Sequence, residues 1–239
     1  MKPLAGIRIA DFTVHNAGPF ATHLLSQLGA QVIKIESAMR PDAFRKPHPV
    51  YGRMGPATFD QVASNKLSVR LNLKKPDGIA LAKRIVAASD VAAESFRPGV
   101  MARLGLGYEA LKAVKEDIVM LSVSSSGQSG PDSHFAGYAP LFGAWGGLGE
   151  LTGYGDGPPV EIRHVMDHTV GMNAAFAVMA ALHRRRATGW ERISTLPRAK
   201  LPVRWSAKRC SKRQRAGAAA HRQHAPAHGT ARRLSRAGR

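Results

Sequence analysis

The chain has 239 residues, a formal net charge of +19, one cysteine and 44% hydrophobic residues. Its length and apolar content suffice for one large or two small globular cores. A single cysteine excludes an internal disulfide and fits a reducing compartment, so a cytoplasmic location is expected.

In chain order, GIRIADF (6–12) reads as a buried strand ending in an acidic turn. AGPF (17–20) follows, with Pro19 near a helix N-terminus. ATHLLSQLGA (21–30) carries Leu24, Leu25 and Leu28 at helical spacing and closes on Gly29. QVIKIE (31–36) is a second strand. Strand, helix and strand within about thirty residues argue for a parallel sheet. The unit lacks a G-x-G-x-x-G fingerprint, so no dinucleotide is inferred. Residues 37–64, rich in Pro, Arg and Gly, read as a long loop. KLSVRLNL (66–73) alternates as a strand, and DGIALAKRIVAAS (77–89) is an amphipathic helix with Pro and Asp at its start. DVAAES (90–95) is a short strand and FRPGV (96–100) a turn. MARLGLGYEALKAVKED (101–117) is helical with a glycine break. IVMLSVSSS (118–126) is a strand running into the polar loop GQSGPD (127–132), and 137–153 is apolar and glycine-rich. A Gly/Pro loop (155–159) and a short strand (160–163) lead to the last periodic segment. No internal repeat is present.

That segment, RHVMDHTVGMNAAFAVMAALHRRRATGW (163–190), sets a lone carboxylate, Asp167, just before an Ala-rich run from Gly171 to Leu182. Cationic residues in the last turn and Gly189 just past it are how a buried helix ends. The apolar run is shorter than the ~18–20 residues of a membrane span, so none is expected, and the N-terminus shows no secretory core. Asp167 falls where backbone N–H groups are unpaired and the helix dipole favours an anion. It can be read as an N-cap or as a nucleophilic carboxylate, and chemistry alone leaves both open.

The charge is unevenly placed. All 16 acidic residues precede residue 192, whereas 192–239 holds 14 of the 35 Lys and Arg. This basic stretch has no periodicity and too few large apolar residues to fold. It reads either as an arm that binds nucleic acid non-specifically or as the product of a lost coding frame near Arg192. The abrupt loss of acidic residues favours the latter. The chain therefore divides into a body, 1–191, and a basic low-complexity tail, 192–239.

Other chemistries fit less well. Glu161, His164, Asp167 and His168 could share a helix face, but no H-E-x-x-H is present and no metal is expected. GQSG (127–130) lacks the spacing of a hydrolase elbow, so Ser129 reads as a turn residue. GAWGGLGE (143–150) has no G-K-[ST] and is not a P-loop.

Four stretches together resemble one family, the class III CoA-transferases, which includes formyl-CoA and carnitine CoA-transferases. They are LAGIRIADFTVHNAGPFATHLLSQLGAQVIKIE (4–36), SFRPGVMARLGLGYEALK (95–112), SVSSSGQSGPD (122–132) and MDHTVGMNAAFAVMAALHRRRATG (166–189). The resemblance implies an α/β fold with a Rossmann-like parallel sheet flanked by helices, and an interlocked homodimer. The family's second domain and returning C-terminal segment are expected to be missing here. The resemblance also implies transfer of CoA from an acyl-CoA to a small carboxylic acid. No cofactor is expected to be permanently bound; coenzyme A enters as substrate. Asp167, in a D-x-x-x-G stretch with Gly171, matches the family's nucleophile. Asn16, Leu71, Lys74, Phe96, Arg103, Leu104 and Tyr138 fall on its CoA-contacting positions. Two departures concern those contacts: Ser95 stands where the family usually has Asn, and Ser37 stands at a cationic position, with Arg40 nearby. Acyl-CoA racemases share the fold but need a His–Asp pair. The matching turn here is Gly137-Tyr138-Ala139, and a tyrosine with a pKa near ~10 is a poor base at neutral pH.

Overall fold

The computed structural model describes residues 2–45, 57–145 and 165–188, with Val50, Thr152, Pro158 and Val160. Five parallel strands form one sheet in the order β3-β2-β1-β4-β5. They are β1 (Arg8–Asp11), β2 (Gln31–Glu36), β3 (Lys66–Arg70), β4 (Val91–Glu94) and β5 (Val119–Ser122). The chain leaves β1 toward one edge of the sheet and returns at β4 toward the other. Loops at the C-terminal ends of β1 and β4 therefore diverge and leave a crevice, the usual ligand position in such sheets.

Seven α-helices are described: α1 (Ala17–Gln27), α2 (Ala57–Ala63), α3 (Pro76–Ala87), α4 (Val100–Arg103), α5 (Tyr108–Lys112), α6 (Ala139–Trp145) and α7 (Val165–Thr188). They cover both faces of the sheet. On one face Ile9, Val32, Val91, Ala93 and Leu121 pack against α1, α6 and α7. On the other Ala10, Phe12, Ile35 and Ala92 pack against α3, α4 and α5. Burial from both sides is why β1, β4 and β5 read as near-continuous apolar runs, whereas the more exposed edge strand β3 alternates.

The differences from the sequence expectations have local causes. α1 begins at Ala17 and so takes in AGPF, with Pro19 in its first turn as expected, where a missing N–H is tolerated. The loop expected over 37–64 contains α2 and a 3-10 turn at Ala43–Arg45. The apolar signal of α2 is only Phe59 and Val62, too short to register as a period. The glycine break expected within 101–117 falls at Gly105, which has φ +70 and divides two short helices. β3 ends at Arg70, although Leu71 N–H still donates to Glu36 O at 2.9 Å. The strand expected over 160–163 lies outside the described residues except for Val160, whose N–H donates to Thr152 O at 3.0 Å. The proposed tail, 192–239, lies wholly outside them.

α7 is also longer than its apolar run suggested, and by length and composition alone it could cross a membrane. Met166, Val170, Ala174, Ala175, Val178 and Leu182 nevertheless form one buried face against α1 and the sheet. Its far end is tied down by Arg185, which pairs with Asp90 at 2.6 Å and Asp117 at 3.2 Å. A core helix of this kind satisfies the same length and composition criteria.

Candidate active site at the C-terminal edge of the sheet

The site grows out of the segment that follows β1. Thr13 turns the chain through bonds from its N–H and hydroxyl to Asp11 Oδ1, at 2.9 and 2.5 Å. Asp11 is fully buried; its Oδ2 accepts from Thr22 Oγ1 at 2.8 Å and from Lys66 Nζ at 3.1 Å. Burial alone would raise the Asp11 pKa, but Lys66, Lys34 and the two hydroxyls outweigh it and hold the carboxyl below its ordinary value. The base of the site is thus an ionised, fully bonded network.

Val14 is fixed next. Its N–H donates to Ser95 Oγ at 2.8 Å, and that hydroxyl donates to Val14 O at 3.1 Å. Ser95, the departure from the family's asparagine, therefore links the loops after β1 and β4. Gly18 permits the tight turn, since a Cβ there would lie 2.7 Å from the Thr13 side chain and 3.1 Å from Ser95 Cβ. Asn16 precedes α1 and is buried, but its side chain makes no capping bond. Instead its amide Nδ2 reaches Asp167 Oδ2 at 3.5 Å.

Asp167 lies in the first turn of α7 and is half-buried. The helix dipole favours a negative charge there. Its position against Asn16 depends on the residue four places on. Asp167 and Gly171 share a helix face, and Gly171 packs directly on α1. A Cβ at Gly171 would lie 2.7 Å from Phe20 Cδ1 and 2.9 Å from Ala17 O. The glycine of the D-x-x-x-G stretch thus lets two helix backbones approach, and the approach carries the carboxylate to the asparagine.

The remaining expected site residues divide into two groups. Tyr138 is exposed beside α6, and its ring meets His15 edge-on at 6.0 Å between centroids, which places it on the Asn16 side. Leu71, Phe96 and Leu104 are half-buried against the second hydrophobic cluster, across the sheet from α7. Lys74 and Arg103 are exposed and form no ion pair among the described residues. Phe96 N–H donates to Glu94 Oε2 at 2.7 Å.

Ser37 Oγ accepts the N–H of exposed Arg40 at 3.2 Å. No cluster of metal-ligating groups occurs among the described residues. The His168 ring lies tilted against Phe20, with centroids 4.5 Å apart, while Glu161 and His164 lie outside the described residues. A groove of about 490 Å³ lined by Ser26, Gly29, Gln31, Asn65 and Leu67 opens at the N-terminal ends of β2 and β3, away from this chemistry.

Sequence reasoning missed His15, Asp42 and Glu94. His15 has φ 65, and its N–H donates to Asp42 Oδ2 at 3.1 Å. Glu94 is buried at the end of β4 and accepts from Gln128 Nε2 at 3.3 Å. Burial raises the Glu94 pKa, against the bonds from Ser122 and the Phe96 amide. An acid ending an apolar strand is the only signal the sequence offered for Glu94.

Comparison with known proteins agrees with this architecture. The family model described as CoA-transferase family III matches residues 4–231, running past the quoted motifs into the basic stretch. The mouse succinyl-CoA:glutarate CoA-transferase is 41% identical over 190 residues, covering 79% of this chain and 44% of that protein. The succinyl-CoA–D-citramalate CoA-transferase of Chloroflexus aurantiacus is 37% identical over 191 residues, covering 79% and 47%. The crystal structure of a CAIB/BAIF family protein from Brucella suis superposes with a TM-score of 0.80 at 29% identity, covering 91% of this chain and 57% of that one. The chain spans less than half the length of these two curated relatives. With the family model matched over most of its length, and with kinship in both sequence and fold, the chain belongs to CoA-transferase family III.

Proposed function

We propose that this chain carries the nucleophile and part of the thioester-binding edge of an acyl-CoA:carboxylate CoA-transferase, with Asp167 as the nucleophile. The observation that carries the reading is the half-buried Asp167 carboxylate, set in the first turn of α7 beside the Asn16 amide. Their 3.5 Å separation is long for a hydrogen bond. Catalytic bonds in unliganded sites are often long and tighten once substrate is bound.

A carboxylate suits the task because it resembles the acceptor acid. An Asp167 oxygen attacks the thioester carbonyl, the C–S bond breaks and CoA leaves as thiolate. The thiolate then attacks the Asp167 acyl carbon of the mixed anhydride, releasing the donor acid and leaving an aspartyl-CoA thioester. The acceptor carboxylate attacks that thioester to form a second anhydride and expel the thiolate. The thiolate finally attacks the acceptor carbonyl and regenerates Asp167. Two easier exchanges replace one hard step. The Asn16 N–H₂ can donate to the oxygen that gains charge in each attack.

The curated relatives above are named for transfer between succinyl-CoA and a diacid, glutarate or D-citramalate. We extend that acid class to this chain. Tyr138, Phe96, Leu104, Leu71, Asn16, Lys74 and Arg103 are assigned to the CoA nucleotide and its arm, with the two exposed cations available for phosphates. The exposed side of α7, where Met172 and Phe176 are 53% and 68% accessible, is assigned to a second copy of the chain. The test is exchange of CoA between succinyl-CoA and isotopically labelled glutarate. The wild-type chain transfers label into the thioester pool, and Asp167→Asn abolishes transfer. Equal transfer by both would refute the assignment.

A further inference from the structure

The mechanism leaves unused the residue that precedes Asn16. His15 adopts a left-handed backbone, φ 65, uncommon for a residue with a Cβ. Strained positions persist where their surroundings over-determine them, and they cluster at functional sites. Two other segments fix this one, the turn at 42–45 and Tyr138. Asp42 Oδ2 accepts the His15 backbone N–H at 3.1 Å. Phe44, in the 3-10 turn, and Tyr138, beside α6, meet the imidazole edge-on at 6.3 and 6.0 Å. The residue is nonetheless exposed, and among the described residues nothing bonds to its ring nitrogens. A ring held between two aromatic edges, with no hydrogen bond to its nitrogens among the described residues, is suited to a ligand.

Among the described residues, the cations paired along this edge are committed elsewhere. Lys34 donates to Thr13 O at 2.8 Å and lies 3.8 Å from Asp42, both side chains being 2% exposed. Lys34 thereby offsets the Asp42 carboxylate that bonds the His15 backbone. Lys66 is bound to Asp11 and Arg45 to Glu36. The His168 ring packs at a tilt against Phe20. Among the described residues His15 is therefore an available donor directly beside Asn16, whose amide reaches Asp167.

A diacid acceptor brings two carboxylates to this edge, and only one can react at Asp167. We propose that His15 recognises the second carboxylate, the one that never joins CoA. An imidazole donates an N–H in either protonation state and adds a charge when protonated. Because Phe44 and Tyr138 set the ring plane beforehand, little ordering is needed on binding. The inference rests on the transferase reading and names the residue that selects the acid.

The test uses the full chain with CoA present. Its histidine ring protons are followed by NMR while glutarate or pentanoate, the monoacid of equal length, is added. The His15 signal is identified by its loss in His15→Asn, a side chain that tolerates the left-handed backbone, with His15→Gln as a second variant. Glutarate should shift that signal saturably and pentanoate should not. In turnover, the preference for glutarate over pentanoate should fall about tenfold in either variant, the scale of one charge-assisted hydrogen bond. A His15 signal indifferent to glutarate, or an equal loss for both acids, would overturn the proposal. Transfer activity with an unmoved signal defeats the role of His15 alone. A saturable glutarate shift in a chain that transfers nothing defeats the transferase reading and leaves recognition of the diacid standing.

Discussion

Asp11 and Glu94 sit at the ends of adjacent strands, yet their surroundings push them in opposite directions. Asp11 is held below its ordinary pKa by Lys66, Lys34 and two threonine hydroxyls despite complete burial. A depressed acid contributes stability that is present above its unfolded value, about 3.8, and is lost as pH falls through the folded one. Asp11→Asn leaves Lys66 buried without its anion and should cost about 3–5 kcal/mol in chemical denaturation at neutral pH. Glu94 is raised by burial, so its contribution is complete below about 4.5 and is lost as pH rises through the folded value. Glu94→Gln should therefore melt higher than wild type at pH 7 and converge with it near pH 4; a constant difference across that range would contradict the assignment. At this scale the sequence was legible where a motif carried the residue. Asp167 and Asn16 lay in recognisable stretches. His15 and Glu94 did not, because a strained φ and a buried acid are properties of the folded environment rather than of residue order.

Among the elements, the contact between α1 and α7 matters most. Gly171, buried against Phe20 and Ala17, sets the distance between the two helices. Gly171→Ala places a methyl group against both a side chain and a backbone carbonyl. It should lower stability by about 1–3 kcal/mol, as overpacking does, and slow transfer by separating Asp167 from Asn16. Thermal melting and single-turnover rates check the two effects separately; an unchanged rate in a folded variant would show that the seam does not position the carboxylate. The D-x-x-x-G spacing was readable, and the helix it opens was expected, but the purpose of the glycine became visible only with α1 beside it. α2 was missed because two buried apolar residues do not make a period, and the division between α4 and α5 was readable from its glycines.

For the whole molecule, the alternation of short apolar strands with amphipathic helices made the parallel sheet legible. The strand order, and with it the crevice between β1 and β4, requires the fold. One side of α7 closes the core, while Met172 and Phe176 on the other face outward. If a second copy covers that side, Phe176→Asp should shift the chain from dimer to monomer in sedimentation velocity; a wild-type monomer at high concentration would contradict it. The deeper claim concerns covalent chemistry at one carboxylate beside Asn16. It is tested most directly by mixing the chain with succinyl-CoA, quenching in acid and locating the adduct by peptide mass spectrometry. CoA should appear in thioester linkage on the peptide containing Asp167, removed by added glutarate and absent from Asp167→Ala. An unmodified Asp167 peptide during active turnover, or the adduct on another residue, would contradict it.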